Sequence, residues 1–365
     1  MKQLNIGVVG LGFIGMQHVE AIRRVPNTNI VALCGADDEA TKNAAKRLGI
    51  KLVSLDEMLD KSTGIDVIHN CTPNSLHYEI NEKVLKADIH LYCEKPFTVH
   101  SHESEKIVAI ASEKNLKIGV NFNYRHNAMV EEMKERVANK AIGKPHFIMA
   151  EYLQDWLLFE TDFNWRVDRA FGGETRAVAD IGSHCFDTIQ YILGEKIVKV
   201  NATMRTLHKT RKTFEGKDFP VDTDDSAIIN VIFESGLEAL VRVSQISSGK
   251  KNDFSILIEA TEQALQWHQE KPDRLWIGNR DCGNMEIFAD AKYLTGRAQE
   301  KINLPNGHPV GWADALANAV HSFYNDVRNI DGAIVDYTTG EEAHYVMKII
   351  DACVISNKNK QWVSV

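Results

Sequence analysis

A chain of 365 residues, 44% hydrophobic and 25% charged, has the composition of an ordinary globular protein and is long enough for two domains. Its formal net charge of −8 speaks against nucleic-acid binding, which needs a basic stripe. No apolar run approaches a membrane span, and the chain enters a strand without a signal-peptide pattern, so a cytoplasmic protein is expected.

The first element is the most informative. Ile6, Val8 and Val9 form a short apolar strand that runs into Gly10, Gly12 and Gly15, the G-x-G-x-x-G spacing, with a helix-like run directly after. Gly10 permits a tight turn, Gly12 lets the backbone approach a pyrophosphate, and Gly15 lets the helix pack closely on the strand. A diphosphate would sit over the N–H groups of the following helix, beside Phe13 and Ile14. The bare pattern also fits a plain glycine-rich turn, but strand before and helix after point to a dinucleotide. The second strand, Asn29 to Cys34, ends at Gly35, where an acid for the ribose 2′-hydroxyl is expected. A glycine there admits NADP, yet no Arg follows to hold a 2′-phosphate, and Asp37 and Asp38 disfavour one. Asp37 can reach the ribose, or both acids can cap the next helix. NAD or NADP is expected, with the balance towards NAD.

The alternation continues down the chain. A helix over residues 40–48 stops at Gly49, Leu52-Val53 is a short strand, and a short helix starts at Leu55. A buried strand over 66–71 leads through Thr72-Pro73-Asn74 to a helix over about 76–86. A strand over 90–93 ends in Glu94-Lys95-Pro96, a helix covers roughly 101–113, and residues 117–121 close the series. Strands alternating with helices imply an N-terminal Rossmann domain, a doubly wound parallel sheet over residues 1–125. From about residue 126 to 365 the texture changes to strand-like runs near 145–156, 197–208, 226–234, 237–247, 254–260 and 264–268. Helices are expected at 128–137, 185–192, 312–329 and 341–357. In the 237–244 run apolar residues alternate with mostly polar ones, which marks a sheet with one covered face. The reading is an α/β protein whose second, α+β domain carries a large open, mostly antiparallel sheet, with the C-terminal helix free to pack back on the first domain.

Ligands of open α/β sheets bind outside the carboxyl ends of the strands, where Thr72 to His77 and Glu94-Lys95-Pro96 stand. Pro96 stiffens its turn. A lysine at that strand end can donate to a substrate oxygen and lower the pKa of a hydroxyl about to ionise. Asp180 and His184 are four apart at the start of a helix, so both can face one point. His184 can accept the proton of an alcohol while its hydride departs, and Asp180 can bind a second hydroxyl or orient the imidazole. Six scattered cysteines without a C-x-x-C read as small hydrophobes. His69, His77, His90, His100 and His102 do not have a ligand spacing, so no metal is expected.

Taken together, these motifs resemble the glucose–fructose oxidoreductase / inositol dehydrogenase (Gfo/Idh/MocA) family. The match rests on Gly10–Gly15, Cys71-Thr72-Pro73-Asn74 with His77, Glu94-Lys95-Pro96, Phe122 with Arg125, and Trp165-Arg166. It continues with Gly172-Gly173 and with Asp180-Ile181-Gly182-Ser183-His184 and Asp187. The resemblance implies NAD(P)-dependent hydride transfer with a sugar or polyol (cyclitol) C–OH, Lys95 holding the hydroxyl and His184 acting as general base beside Asp180. It implies that Thr72, Pro73, Asn74, His77, Glu94 and Lys95 line the cofactor pocket, with Asn123, Arg125, Trp165 and Arg166 near the nicotinamide or the substrate. It also implies a homodimer or homotetramer formed through the open sheet. Alternatives are a redox-neutral glycoside-cleaving relative and a non-catalytic nucleotide-binding regulator; the intact Lys95, Asp180 and His184 favour the dehydrogenase. Tyr124, Glu151, Tyr152, Asp155, Trp156 and His308 are further candidates for a sugar-pocket wall.

Overall fold

The computed structural model describes residues 2–332 and 334–365. They fall into two compact units, one running to Asn123 and including Leu316–Met347, the other formed by Tyr124–Ala315 and Lys348–Val365. Among the described residues no helix is long and apolar enough to cross a membrane.

The first unit is the doubly wound sheet read from the sequence. Its elements are β1 (Leu4–Val9), α1 (Phe13–Arg23), β2 (Thr28–Cys34), α2 (Glu39–Leu48), α3 (Leu55–Leu59) and β3 (Val67–Asn70). Then come α4 (His77–Lys86), β4 (His90–Cys93), α5 (Ser101–Lys114) and β5 (Ile118–Val120). The parallel order is β5-β4-β3-β1-β2. β1, β3 and β4 are buried almost throughout, which is why they read as unbroken apolar runs. α2 is delimited as its sequence suggests: Asp38 accepts the Thr41 N–H at its start, and Gly49 closes it in a left-handed conformation.

The first unit also takes in Leu316–Met347, far along the chain from the rest of it. The two-residue strand Thr338–Thr339 pairs antiparallel with Val120 and Gly119, extending the sheet beyond β5. From the helix Trp312–Val327, Phe323 packs on Tyr92 and Tyr324 bonds His69. A pairing two residues long carries no sequence signal that separates it from a loop.

The second unit contains α6 (Ala128–Ala138), β6 (Pro145–Leu153), α7 (Arg169–Gly172), α8 (Ser183–Leu193), β7 (Ile197–Arg205) and the small hairpin β8 (Thr210–Lys212) and β9 (Asp218–Pro220). It continues with β10 (Ser226–Phe233), β11 (Glu238–Ser244), β12 (Asp253–Ala260), β13 (Gln263–His268), β14 (Lys271–Asn279) and β15 (Met285–Phe288). The large sheet runs β15-β14-β13-β12-β6-β11-β10-β7, with Val363–Ser364 pairing beyond β7. All its pairs are antiparallel except β6 with β11. Ala239, Val241 and Val243 of β11, Ile229 and Val231 of β10, and Ile256 and Ile258 of β12 are buried on the covered face. The intervening Ile228, Asn230 and Arg242 are exposed, so the alternation in sequence is the alternation of faces. The hairpin and the strands β14 and β15 have weak sequence signals; β14 opens Lys-Pro-Asp-Arg, too polar at its start to stand out.

Cys71, Cys93, Cys185 and Cys353 are buried thiols, Cys34 is half-buried and Cys282 exposed. The long connection before α8 is held by buried charge. Asp225 pairs with both Arg176 and Arg211, all three enclosed, while Arg211 also donates to the carbonyls of Leu157, Phe159 and Asp162. Deleting one partner of such a cluster leaves uncompensated charge in the interior. Asp225→Ala is therefore expected to cost about 3–5 kcal/mol and to lower the thermal midpoint by roughly 10 °C. A circular-dichroism melt within about 2 °C of the parent would contradict this.

Candidate active site

The glycine motif sits at the C-terminal end of β1. Gly10 has φ +89°, and a Cβ there would lie 2.6 Å from the Cys71 carbonyl oxygen. A Cβ on Gly15 would lie 1.8 Å from the Gly10 carbonyl oxygen, whereas one on Gly12 would meet nothing within 4 Å. Two of the glycines thus let backbone meet backbone, and the third leaves an open approach to the first turn of α1. No side chain caps that helix, so its first N–H groups face the opening together with the positive end of the dipole. This cradle fits an anionic diphosphate. Phe13 projects there, 79% exposed, and Ile14 follows in the first turn.

At the end of β2, Gly35 offers no carboxylate, and a Cβ there would crowd Thr41 at 3.0 Å. Asp38 is occupied as the α2 cap, while Asp37 is exposed and pairs with Lys42 at 2.7 Å. A surface pair of this kind is worth little and exchanges readily for a ligand.

The ends of β3 and β4 are tied to each other. Thr72 Oγ1 donates to Asn70 Oδ1 at 2.7 Å, and Pro73 and Asn74 lead into α4. His77 at the start of α4 is buried, with Nε2 2.9 Å from the Thr72 carbonyl and Nδ1 2.8 Å from the Pro96 carbonyl. Burial lowers its pKa, outweighing the two carbonyls that favour its charge. His77 thus stands between the Thr72 turn and the Lys95-Pro96 turn, its one N–H serving one of the two carbonyls, and the Lys95-Pro96 peptide bond is cis.

Glu94, the last residue before that turn, is buried. Its Oε1 takes Asn121 Nδ2 at 2.6 Å and His18 Nε2 at 2.8 Å, and its Oε2 takes the Lys95 N–H at 3.1 Å. Burial alone would raise the carboxyl; the hydrogen bond and charge of His18, the charge of Lys95 and the Asn121 bond outweigh it and bring the pKa down to about 2. Lys95 is half-buried at the strand end. Asn123, the last residue of this stretch, is buried, and its Nδ2 meets no hydrogen-bond acceptor among the described residues. That is the condition of a donor shaped for a ligand.

The other candidates lie in the second unit. Val178–Gly182 forms a π-helical turn that passes directly into α8, so Asp180 and His184 stand on a wider turn than the α-spacing assumed. Such turns recur at functional sites. The Asp224 carboxylate, accepting the N–H groups of Arg176 and Val178, braces the entry. Asp180 Oδ2 accepts from Gln245 Nε2 at 2.8 Å, and Arg166 Nε lies 3.7 Å from Oδ1, with its guanidinium stacked on Trp165 at 4.3 Å. His184 is buried edge-on to Tyr124, with centroids 4.8 Å apart. Tyr124 and Tyr152 share a 2.7 Å hydroxyl contact, and both bond Asn252. Burial pushes Tyr124 up to about 12 and also raises Tyr152 well above the ordinary tyrosine value, so both remain neutral hydroxyls.

Arg125 is enclosed, its Nε and Nη2 donating to the two oxygens of Asp187 and its plane resting on Tyr191 at 4.5 Å. The geometry makes it a brace between α8 and the turn before α6. Glu151 points to the other face of β6 from Tyr152 and pairs with Arg242, which takes it away from the wall that Tyr152 helps to form. Asp155 pairs with Lys251, and His308 is exposed in a turn. Two groups went unread in the sequence. His18 is signalled only by its place on the buried stripe Gly15, His18, Val19, Ile22 of α1. His69, which has no metal-ligand spacing to its neighbouring histidines, bonds His18 and Tyr324.

The description "Oxidoreductase family, NAD-binding Rossmann fold" matches residues 4–122, and the GFO/IDH/MocA C-terminal domain matches residues 130–266. The chain belongs to the GFO/IDH/MocA oxidoreductase family. Residues 4–122 are its NAD-binding Rossmann domain, and the protein is a dehydrogenase of that family. Among its relatives, the levoglucosan dehydrogenase of Pseudarthrobacter phenanthrenivorans is 26% identical over 100% of this chain and 99% of its own. An oxidoreductase domain protein from Kribbella flavida superposes with a TM-score of 0.91 at 27% identity, covering both chains fully. A levoglucosan dehydrogenase solved with NADH and L-sorbose gives a TM-score of 0.90 at 26% identity over 100% of this chain and 99% of that one.

Two outcomes follow from the geometry. Gly12→Ala should keep the thermal midpoint within about 1 °C yet weaken NADH about tenfold or more, while Gly15→Ala loses both stability and binding. Fluorescence titration and melts decide; equal behaviour of the two variants would contradict the assignment. Glu94 ionises in the folded state at about 2, below the unfolded value of about 4.3. Its contribution is full above that unfolded value and fades as pH falls through the folded one. Glu94→Gln should therefore lower the midpoint by about 5 °C at neutral pH and by clearly less near pH ~3.5. A pH-independent difference would be inconsistent with a carboxylate held ionised.

Proposed function

We propose that the protein oxidises a C–OH of a cyclic sugar or polyol, preferring NAD. The observation that carries this reading is the Lys95 turn. A lysine stands at the carboxyl end of β4, beside a carboxylate kept ionised, in the unit whose α1 N-terminus is open to a diphosphate. When bound, the nicotinamide takes up or returns the hydride. Gly10, Gly12, Phe13, Ile14 and Gly15 would hold the diphosphate end, with Thr72, Pro73, Asn74, His77 and Asn123 along the rest. At Gly35 no side chain repels a 2′-phosphate, but Asp37, two residues on and paired with Lys42, supports NAD over NADP.

The chain's own residues account for the proton. Lys95 Nζ donates to the reacting oxygen and stabilises the negative charge that grows on it as the proton leaves. His184 takes that proton as general base. Asp180, steadied by Gln245 and Arg166, binds a neighbouring hydroxyl or fixes the imidazole. The neutral Tyr124 and Tyr152 beside His184 give an aromatic and hydroxyl-bearing surface of the kind that suits a sugar. Full-length similarity to a levoglucosan dehydrogenase supports a cyclic substrate. Ile228 on the open face of the large sheet is half exposed, with Phe147, Met149 and Leu257 partly so. We propose that this face is covered in a homodimer or homotetramer.

Lys95→Ala and His184→Ala are each expected to lower kcat by about a hundredfold or more while leaving the NADH dissociation constant within about threefold. Steady-state kinetics on the best substrate of a panel of sugars, inositols and glycosides, paired with NADH titration, reads both. Near-normal turnover in either variant would overturn the role given to it.

A further inference from the structure

Helix α1 reaches two places at once. Its N-terminus is the open end at Gly12, and on its buried face His18 is wholly enclosed. His18 Nε2 meets Glu94 Oε1 at 2.8 Å, and its Nδ1 lies 2.8 Å from His69 Nδ1. His69 Nε2 in turn lies 2.8 Å from the Tyr324 hydroxyl. The proton positions follow from the partners. An ionised Glu94 only accepts, so His18 Nε2 carries hydrogen. Burial and His18 hold His69 neutral, its pKa well below the ordinary histidine value. His18 Nδ1 and His69 Nδ1 share one hydrogen, and His69 Nε2 and the Tyr324 hydroxyl share the next. The line ends on the carboxylate whose other oxygen holds the Lys95 N–H.

We propose that His18 is a positioning residue, tying the helix that receives the dinucleotide diphosphate, through Glu94, to the backbone of Lys95. The inference rests on the reading of Lys95 as the group that handles the substrate hydroxyl. Asn121 also holds Glu94, but it comes from the segment after β5. His18 alone joins the carboxylate to α1 among the bonds described. A side chain that only filled the interior would need no donor at this position.

The test compares His18→Leu, which removes the donor, with His18→Gln, whose amide can donate to Glu94 and accept from His69. Amide exchange is read by NMR on the protein without cofactor. In His18→Leu the Lys95 amide should exchange about tenfold faster or more, while Ile6 and Val8 of β1 keep their parent rates. In the presence of cofactor, kcat should fall about 10–100-fold with the NADH dissociation constant within about threefold. His18→Gln should bring both readouts to within about threefold of the parent. If His18→Leu does not fold, His18→Asn, whose amide is too short to span both partners, takes its place with the same expectations. The proposal is overturned if Lys95 exchange and kcat stay at parent values. It is equally overturned if protection is lost throughout β1, or if His18→Gln is no better than His18→Leu. A parent protein that turns over no sugar would remove the chemical reading of Lys95, and the exchange comparison would still decide the tie.

Discussion

One buried carboxylate organises the first unit. Glu94 sits where β4 ends, out of reach of solvent, and an enclosed charge is tolerated only when donors surround it. Those donors come from α1, from the segment following β5 and from the next peptide of its own turn. Each donor therefore has to be in place for the charge to be kept. The demand runs outward to His69 and Tyr324 and fixes the helix Trp312–Val327 against the sheet. Fold and site are joined at this point, because the group that satisfies the charge on one side is the N–H of Lys95.

Much of this was legible in the sequence. Strands covered on both faces must be apolar throughout, so β1, β3 and β4 showed as runs, and the βα alternation gave the parallel sheet. The glycine motif showed because backbone contact at Gly10 and Gly15 permits no other residue. The alternation in β11 likewise marked a sheet with one covered face. What stayed hidden depends on partners far along the chain. His18 and His69 are 51 residues apart and His69 and Tyr324 are 255 apart, and nothing local marks them as a hydrogen-bonded line. Arg125 and its partner Asp187 are 62 residues apart, so their pairing has no local mark either. The π-helical turn at Val178–Gly182 answers to the Asp224 carboxylate rather than to its own residues.

The second unit solves a different problem. Its connection between β6 and α8 is long and must hold Arg166 and Asp180 in fixed places, with His184 just beyond in the first turn of α8. Two buried acids, Asp224 and Asp225, do this by taking backbone N–H groups and two guanidinium groups. Rigidity of the supporting residues is what holds a reactive group within the tolerance that proton transfer requires. Tyr124 and Tyr152, raised far from ionisation, add neutral hydroxyls beside His184 without adding charge.

The central claim, hydride transfer from a cyclic sugar or polyol carbon, is tested most directly by following the hydrogen itself. The protein would be incubated with NAD and substrates deuterated at every carbinol carbon, and the recovered cofactor weighed by mass spectrometry. The account predicts reduced nicotinamide carrying one deuterium from at least one cyclic sugar or cyclitol. Cofactor that binds yet stays unlabelled across sugars, inositols and glycosides would contradict it.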